Sequence, residues 1–235
     1  MGDLFEPVLT LQQRLPSAFV EATATKRSRR HKRQHQGNKS LQEYAAKRDY
    51  ARTPEPVAAS VKKNAKQRSR QRFVIQKHQA SHLHYDFRLE MEAVLRSWAV
   101  PKGIPTQLRQ ARLAMQVEDH PLEYAAFEGT IPPGNYGAGT VMVWDRGEYE
   151  EAAGRPAAAF NAGKLHLRMR GTKLKGEWTL VKDRREEESN KWLLIKAGKS
   201  IRPFSKQADD RSALTSRSMS QIARANDAQC QSNRS

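Results

Sequence analysis

The stretch His82-Leu83-His84-Tyr85-Asp86-Phe87-Arg88-Leu89-Glu90 separates completely by parity, with ionisable side chains at even positions and apolar or aromatic ones at odd positions. A strand sends alternate side chains to opposite faces, so the stretch reads as a strand with one apolar and one ionisable face. His84 and Asp86 then project on the same side, about 7 Å apart along the strand. That is close enough for one ion to be shared, and Arg88 is the next group along. Two imidazoles and a carboxylate beside a guanidinium suit a metal that acts on a phosphate.

The surrounding chain supplies partners for this strand. Arg72-Phe73-Val74-Ile75-Gln76-Lys77-His78 precedes it, rich in β-branched and aromatic residues. Leu95 to Val100 follows closely enough for a hairpin. Further short strands are read at 112–118, 140–144, 164–170, 178–181 and 192–195, separated by Gly and Pro. In 112–118, Leu113, Met115 and Val117 share one face and Arg112, Ala114, Gln116 and Glu118 the other. Many short strands with turn punctuation predict a mainly β fold, an antiparallel sheet curled into a barrel or sandwich. Residues 40–50 read as a short helix, with Ser40 and Glu43 at capping-box spacing and Thr53-Pro54-Glu55-Pro56 ending it.

Charge divides the rest. The chain carries a net charge of +17, which favours an anionic partner, nucleic acid first. Residues 26–33 hold six Lys or Arg in eight positions, a run that repels itself and meets phosphate backbones by counterion release. The expected organisation is a basic disordered arm at 1–39, a folded domain at 40–198 containing a basic linker at 57–71, and a disordered polar tail at 199–235. No apolar run approaches the ~20 residues that span a bilayer, and no apolar leader is seen. No membrane association is expected. The single cysteine, Cys230, excludes disulfides within the chain and fits a reducing compartment.

Several groups could carry chemistry. His78, His84 and Asp86 are candidate ligands for a divalent metal with positions left open; the alternative is a solvated polar face with histidines by chance. Parity alone does not exclude His82. Arg88 and Arg112 could clamp phosphate, since guanidinium binds it bidentately and keeps its charge. His120, between Glu118-Asp119 and Pro121, could act as general acid or transition-state donor, or as half of a structural salt bridge. His166 lies among Lys and Arg and is read as solvent-facing. The Pro133-Gly134-Asn135-Tyr136-Gly137-Ala138-Gly139-Thr140 run lacks the ending of a P-loop, and its glycines are read as serving tight turns.

Assembled in order, these blocks resemble the 3'-phosphoesterase module associated with bacterial and archaeal DNA ligase D. The resemblance runs over roughly residues 40–197. It includes Ser97-Trp98-Ala99-Val100-Pro101-Lys102-Gly103, Glu118-Asp119-His120-Pro121-Leu122-Glu123-Tyr124, Phe127-Glu128-Gly129 and Trp192-Leu193-Leu194-Ile195-Lys196. It implies a small β-barrel flanked by a short N-terminal helix, with a manganese-dependent site that removes a 3'-terminal ribonucleotide and then the 3'-phosphate, leaving a 3'-hydroxyl. Other divalent metals are also compatible. His78, His84 and Asp86 would hold the metal, and His82 drops to a neighbour. Arg88, Arg112 and His120 would bind phosphate with Tyr124 and Lys102 assisting. Arg48, Asp49, Gln76 and Glu118 would contact substrate. Implied partners are DNA or DNA/RNA 3' ends at primer-templates, with a DNA ligase, polymerase or Ku in trans, in the cytoplasm at the nucleoid. Glu92-Ala93 departs from the family's Asp-Gly-like hairpin turn.

Two rival functions are compatible with parts of the sequence. His84-x-Asp86 with a distant histidine is the ligand pattern of a non-haem iron oxygenase, which would need His166 as its third ligand. A catalytically silent nucleic-acid-binding module would need only the basic segments.

Overall fold

A computed structural model of the chain describes residues 41–57, 71–185 and 189–232. The basic arm 1–39 and most of the basic linker 57–71 lie outside the described residues. Nine strands follow a short helix, α1 (residues 41–46): β1 Gln71–Gln79, β2 Leu83–Met91, β3 Val94–Val100, β4 Ala111–His120, β5 Gly129–Ile131, β6 Gly139–Glu151, β7 Lys164–Gly171, β8 Lys175–Lys182 and β9 Lys191–Ala197. A 3-10 turn spans Leu122–Ala126, and three helices, α2 Pro156–Asn161, α3 Lys206–Asp209 and α4 Met219–Ser232, complete the order.

The strands pair antiparallel in the order β1-β2-β3-β4-β9-β8-β7-β6, and β6 returns to β1, closing an eight-stranded barrel; β5 adds to the start of β6. The alternation in β2 decides which face turns inward. Phe87 and Leu89 join Phe73, Ile75, Trp98, Trp178 and Trp192 in the barrel interior. Phe160 of α2 stacks on Trp192 at a centroid distance of 5.5 Å. Three fully buried tryptophans fill the lumen with side chains, leaving the ionisable face of β2 on the outside of the wall.

That outer face is also covered. Tyr44 of α1 packs with Val74, Leu95, Tyr124, Phe127, Ile131, Val141 and Val143 in a second core outside the barrel. The segment from α1 to residue 57 thus forms a strap, tied at its end by Tyr44 Oη donating to the Pro56 carbonyl at 2.7 Å.

The structure decides which face of β4 turns inward and corrects one sequence expectation. In β4 the inward face is the one holding Ala114, while Leu113 is exposed and pairs with the exposed Leu193 of β9. A barrel wall packed against Trp192 needs a small residue on β4, so the bulky one points out. Residues 199–225 are packed on the barrel, where polar composition predicted an unstructured tail. Asp209 accepts from Lys77 Nζ at 2.5 Å and Trp144 Nε1 at 3.0 Å. Phe204 packs edge-on to Trp144, and Ile222 is buried in the main core. Ser212 and Arg217 bind the buried Glu128 carboxylate.

The β2–β3 hairpin carries local strain. Its two turn residues, Glu92 and Ala93, have φ of 52° and 66°, the left-handed values that two-residue hairpins need and that Gly or Asn adopt most cheaply. Replacing Ala93→Gly should raise stability by about 1 kcal/mol, read as a higher urea midpoint with an unchanged m-value.

Candidate active site

The register of β1 on β2 builds the first half of the site. His78 stands directly opposite His84, and Gln76 opposite Asp86. The two imidazole centroids are 4.7 Å apart. One ligand atom from each of His78, His84 and Asp86 lies within 4.8 Å of the others. Backbone carbonyls fix both tautomers, because a carbonyl only accepts. His78 Nε2 donates to Gly137 O at 3.0 Å, and His84 Nδ1 donates to His82 O at 3.0 Å. The remaining nitrogens, His78 Nδ1 and His84 Nε2, face the two Asp86 oxygens at 3.7 and 3.8 Å. Lone pairs on both rings, a carboxylate between them and outer carbonyls locking the rings are what a divalent cation requires. Burial pushes the Asp86 carboxyl up, but the Arg88 guanidinium and the two imidazoles outweigh it and hold the group well below the usual carboxylate range. His82 is exposed, and its carbonyl rather than its ring serves the cluster.

Arg88 links this cluster to the rest. Its Nη2 donates to Asp86 Oδ2 at 3.0 Å, its Nε to Gln76 Oε1 at 2.7 Å and its Nη1 to Ser97 Oγ at 2.8 Å. Gln76 in turn donates to the Tyr124 and Phe127 carbonyls, so its amide is used within the protein and positions Arg88. The guanidinium carbon lies 4.9 Å from the Tyr124 ring centroid.

His120 reaches the site through an irregularity. Leu95 pairs with His120 but Ser97 with Val117, so three steps on β4 oppose two on β3. This bulge reverses the parity of the strand end. Ala114 points into the barrel, whereas Glu118 and His120 turn outward to the strap. Arg112 shares sequence parity with His120, but the bulge lies between them. The structure therefore leaves Arg112 on the Ala114 side, with its Nε buried and without a hydrogen-bond partner among the described residues.

The strap closes over His120. Arg48 donates from Nε to Glu55 Oε1 at 2.9 Å and from Nη1 to Glu118 Oε1 at 3.4 Å, and its Nη2 lies 3.3 Å from His120 Nε2. Since Arg48 can only donate, His120 Nε2 accepts. The other nitrogen, Nδ1, donates to the Glu118 carbonyl at 3.0 Å. The imidazole is therefore neutral. Burial, then the charges of Arg88 and Arg48, hold it well below its ordinary value of 6.5. Tyr124 Oη donates to Glu55 Oε1 at 3.0 Å, and burial raises the phenol far above its normal range, so it remains protonated.

The structure thus gathers His78, His84, Asp86, Arg88, Gln76, Glu118, His120, Tyr124 and Arg48. Asp49 is exposed and accepts from the Ala51 N–H within its own turn. Lys102 is exposed beyond β3 and lines a separate cleft with Leu83, Tyr85 and Asp209. His166 is exposed on β7 and bonds Thr179; it does not join His84 and Asp86 as an oxygenase ligand set would need. Sequence reasoning missed Ser97 and Glu55. Ser97 is signalled only by sitting opposite Arg88 across the hairpin. Glu55 lies in a Pro-flanked stretch that reads as a helix stop.

Residues 76–182 match the family described as DNA Ligase D 3'-phosphoesterase domain. The multifunctional non-homologous end joining protein LigD of Pseudomonas aeruginosa is 48% identical over 160 residues, covering 68% of this chain and 19% of that protein. Its namesake in Mycolicibacterium smegmatis is 41% identical over 170 residues, covering 69% of this chain and 21% of that one. The multifunctional non-homologous end joining DNA repair protein LigD of Mycobacterium tuberculosis is 40% identical over 153 residues, 65% and 19% respectively. The chain spans about a fifth of the length of these relatives. Residues 76–182, the barrel segment that carries the His78, His84, Asp86, Arg88 and His120 cluster, thus belong to the DNA ligase D 3'-phosphoesterase domain family.

Proposed function

We propose that the protein is a metal-dependent phosphoesterase that heals 3' ends in DNA break repair. It removes a terminal ribonucleotide and then the remaining 3'-phosphate, so that a 3'-hydroxyl is left for a polymerase or ligase. The observation that carries this reading is a buried arginine, Arg88, bonded on one side to the carboxylate of a three-ligand metal group and flanked on the other by His120. The names of the end-joining relatives support a nucleic-acid end as substrate. The net charge of +17 supports binding to its backbone. Ku, a polymerase or a ligase are the proposed partners at such an end.

His78 Nδ1, His84 Nε2 and Asp86 would hold the metal, for which manganese is proposed. When bound it supplies a Lewis acid for the phosphoryl oxygen and lowers the pKa of a bound water. The chain's own residues do the rest. Arg88 and Arg48 offset charge on the phosphoryl oxygens, and fixed geometry spares them reorganisation. In the diesterase step water oxygen bonds to phosphorus while the bond to the 5'-oxygen of the terminal ribonucleoside breaks. In the monoesterase step the bond to the primer 3'-oxygen breaks. Each leaving oxygen requires a proton. His120 begins neutral between two guanidinium groups. Burial, and then the charges of Arg88 and Arg48, depress the imidazole; an anionic phosphate seated against the two guanidinium groups offsets the second of these, which favours His120 taking a proton at Nε2 and donating it to the phosphate or the leaving oxygen.

Replacing His84→Ala should abolish product formation from a manganese-supplemented primer-template ending in a ribonucleotide or a 3'-phosphate, read on a sequencing gel. Metal binding by calorimetry should be lost while the circular dichroism spectrum is kept, because His84 is half-buried and its Nδ1 bonds only the His82 carbonyl. End trimming by the mutant at the normal rate would refute the metal assignment.

The neutral state of His120 also has a stability consequence. Below its ordinary value of 6.5 the unfolded chain binds a proton that the folded chain refuses. Stability therefore rises with pH up to that value and is lost on acidification through it. The unfolding free energy of wild type, read from urea titrations, should fall from pH 7 to pH 5 more steeply than that of His120→Gln, by up to about 1.4 kcal/mol per pH unit. Parallel profiles would show that the imidazole charges freely in the folded state.

A further inference from the structure

Aromatic side chains in this protein are buried or half-buried with one exception: among the described residues Tyr136 is the only exposed aromatic, at 50%. It sits on the Pro132–Ala138 loop, whose conformation is fixed. Gly134 and Gly137 adopt φ of 83° and 74°, values other residues take at a cost. Asn135 Nδ2 donates to Pro132 O at 3.1 Å, and the Ala138 N–H to Asn135 O at 3.2 Å. The next residue after Tyr136 supplies the carbonyl that locks the metal ligand His78. The ring is therefore held one residue from the metal cluster by a loop that does not need to reorganise.

Cations from the strap stand beside the same ring. Lys47 Nζ is 5.0 Å and the Arg48 guanidinium carbon 5.7 Å from its centroid. Those two side chains also reach Glu118, and Arg48 reaches His120. Tyr136 thus lies where the strap and the metal loop meet. Its hydroxyl makes no hydrogen bond to other described residues, and apart from the two strap cations beside it the ring is open to solvent. An exposed ring bordered by cations is the combination that holds an unpaired base and its backbone without reading sequence.

We propose that Tyr136 is a stacking platform for the nucleobase of the 3'-terminal nucleotide, with Lys47 providing the neighbouring positive charge. The assignment rests on the end-healing reading above and adds the group by which the end is gripped. It explains why the glycine-rich loop, which lacks the features of a phosphate loop, contacts the metal cluster: it carries the base-holding ring and the His78 lock on consecutive residues.

The test uses the full chain with manganese. Primer-templates end either in a normal ribonucleotide or in the same sugar-phosphate without its base. Tyr136→Ala should lower kcat/KM on the normal end by about 5- to 150-fold, carried by KM, and Tyr136→Trp should restore it. On the base-free end wild type should already be slow and Tyr136→Ala should cost nothing more. Binding is read separately with 2-aminopurine as the terminal base, whose fluorescence should be quenched by wild type and not by Tyr136→Ala. Unchanged KM and quenching in Tyr136→Ala, or an equal penalty on the base-free end, would overturn the proposal. If wild type cleaves neither end, the end-healing reading falls, and the stacking assignment then stands or falls on the quenching alone.

Discussion

A buried guanidinium organises this structure. Arg88 lies on a barrel wall under a lid of protein, almost out of contact with water. A charge in that position survives only if its donors are matched. Asp86, Gln76 and Ser97 provide the match, one from its own strand and one from each neighbour. Satisfying Arg88 therefore fixes the register of three strands at once. The same register sets His78 opposite His84. The metal cluster is in this sense a by-product of pairing one arginine.

The location of the site on the wall follows from the packing of the lumen. Eight strands enclose a space that side chains fill, and here the three fully buried tryptophans fill it. Chemistry had to be placed outside, where a sheet face would ordinarily meet solvent. The strap, the 3-10 turn and the glycine-rich loop supply a roof, and each reaches the site with polar contacts, among them Arg48 to His120, the Tyr124 carbonyl to Gln76, and the Gly137 carbonyl to His78. Enclosure lowers the local dielectric, which is why His120 is held neutral and Tyr124 protonated.

How much of this was legible depended on how local the signal was. The two faces of β2 could be read from parity alone, since alternation is a property of one strand. The metal trio followed because His78 is brought opposite His84 by a short turn. His120 and Arg112 show where parity stops working. Both occupy even positions on one strand, and counting places them together. One extra residue near the strand end separates them, and nothing in Glu118-Asp119-His120 announces it. The C-terminal segment was misread for another reason. Its few core-facing apolar residues, Ile201, Phe204, Met219 and Ile222, are too sparse to mark an element, with only Met219 and Ile222 at helical spacing, because they fill gaps on a surface the barrel already provides.

That C-terminal segment bears on the site from behind. Lys77 and Tyr85 alternate with the candidate metal ligands on β1 and β2, so they point to the opposite face of the wall. Both end on the Asp209 carboxylate, Lys77 Nζ at 2.5 Å and Tyr85 Oη at 3.2 Å. The tie joins the two strands at the positions next to His78, His84 and Asp86. On the front face the same strands are joined by Gln76 bonding Arg88. The ligand-bearing strands are thus cross-braced on both faces by polar contacts largely removed from water, where such contacts resist exchange with solvent. The strap is bound to the site through Arg48, Lys47 and Glu55, and its Arg48–Glu55 pair is buried more deeply than the Lys77–Asp209 tie.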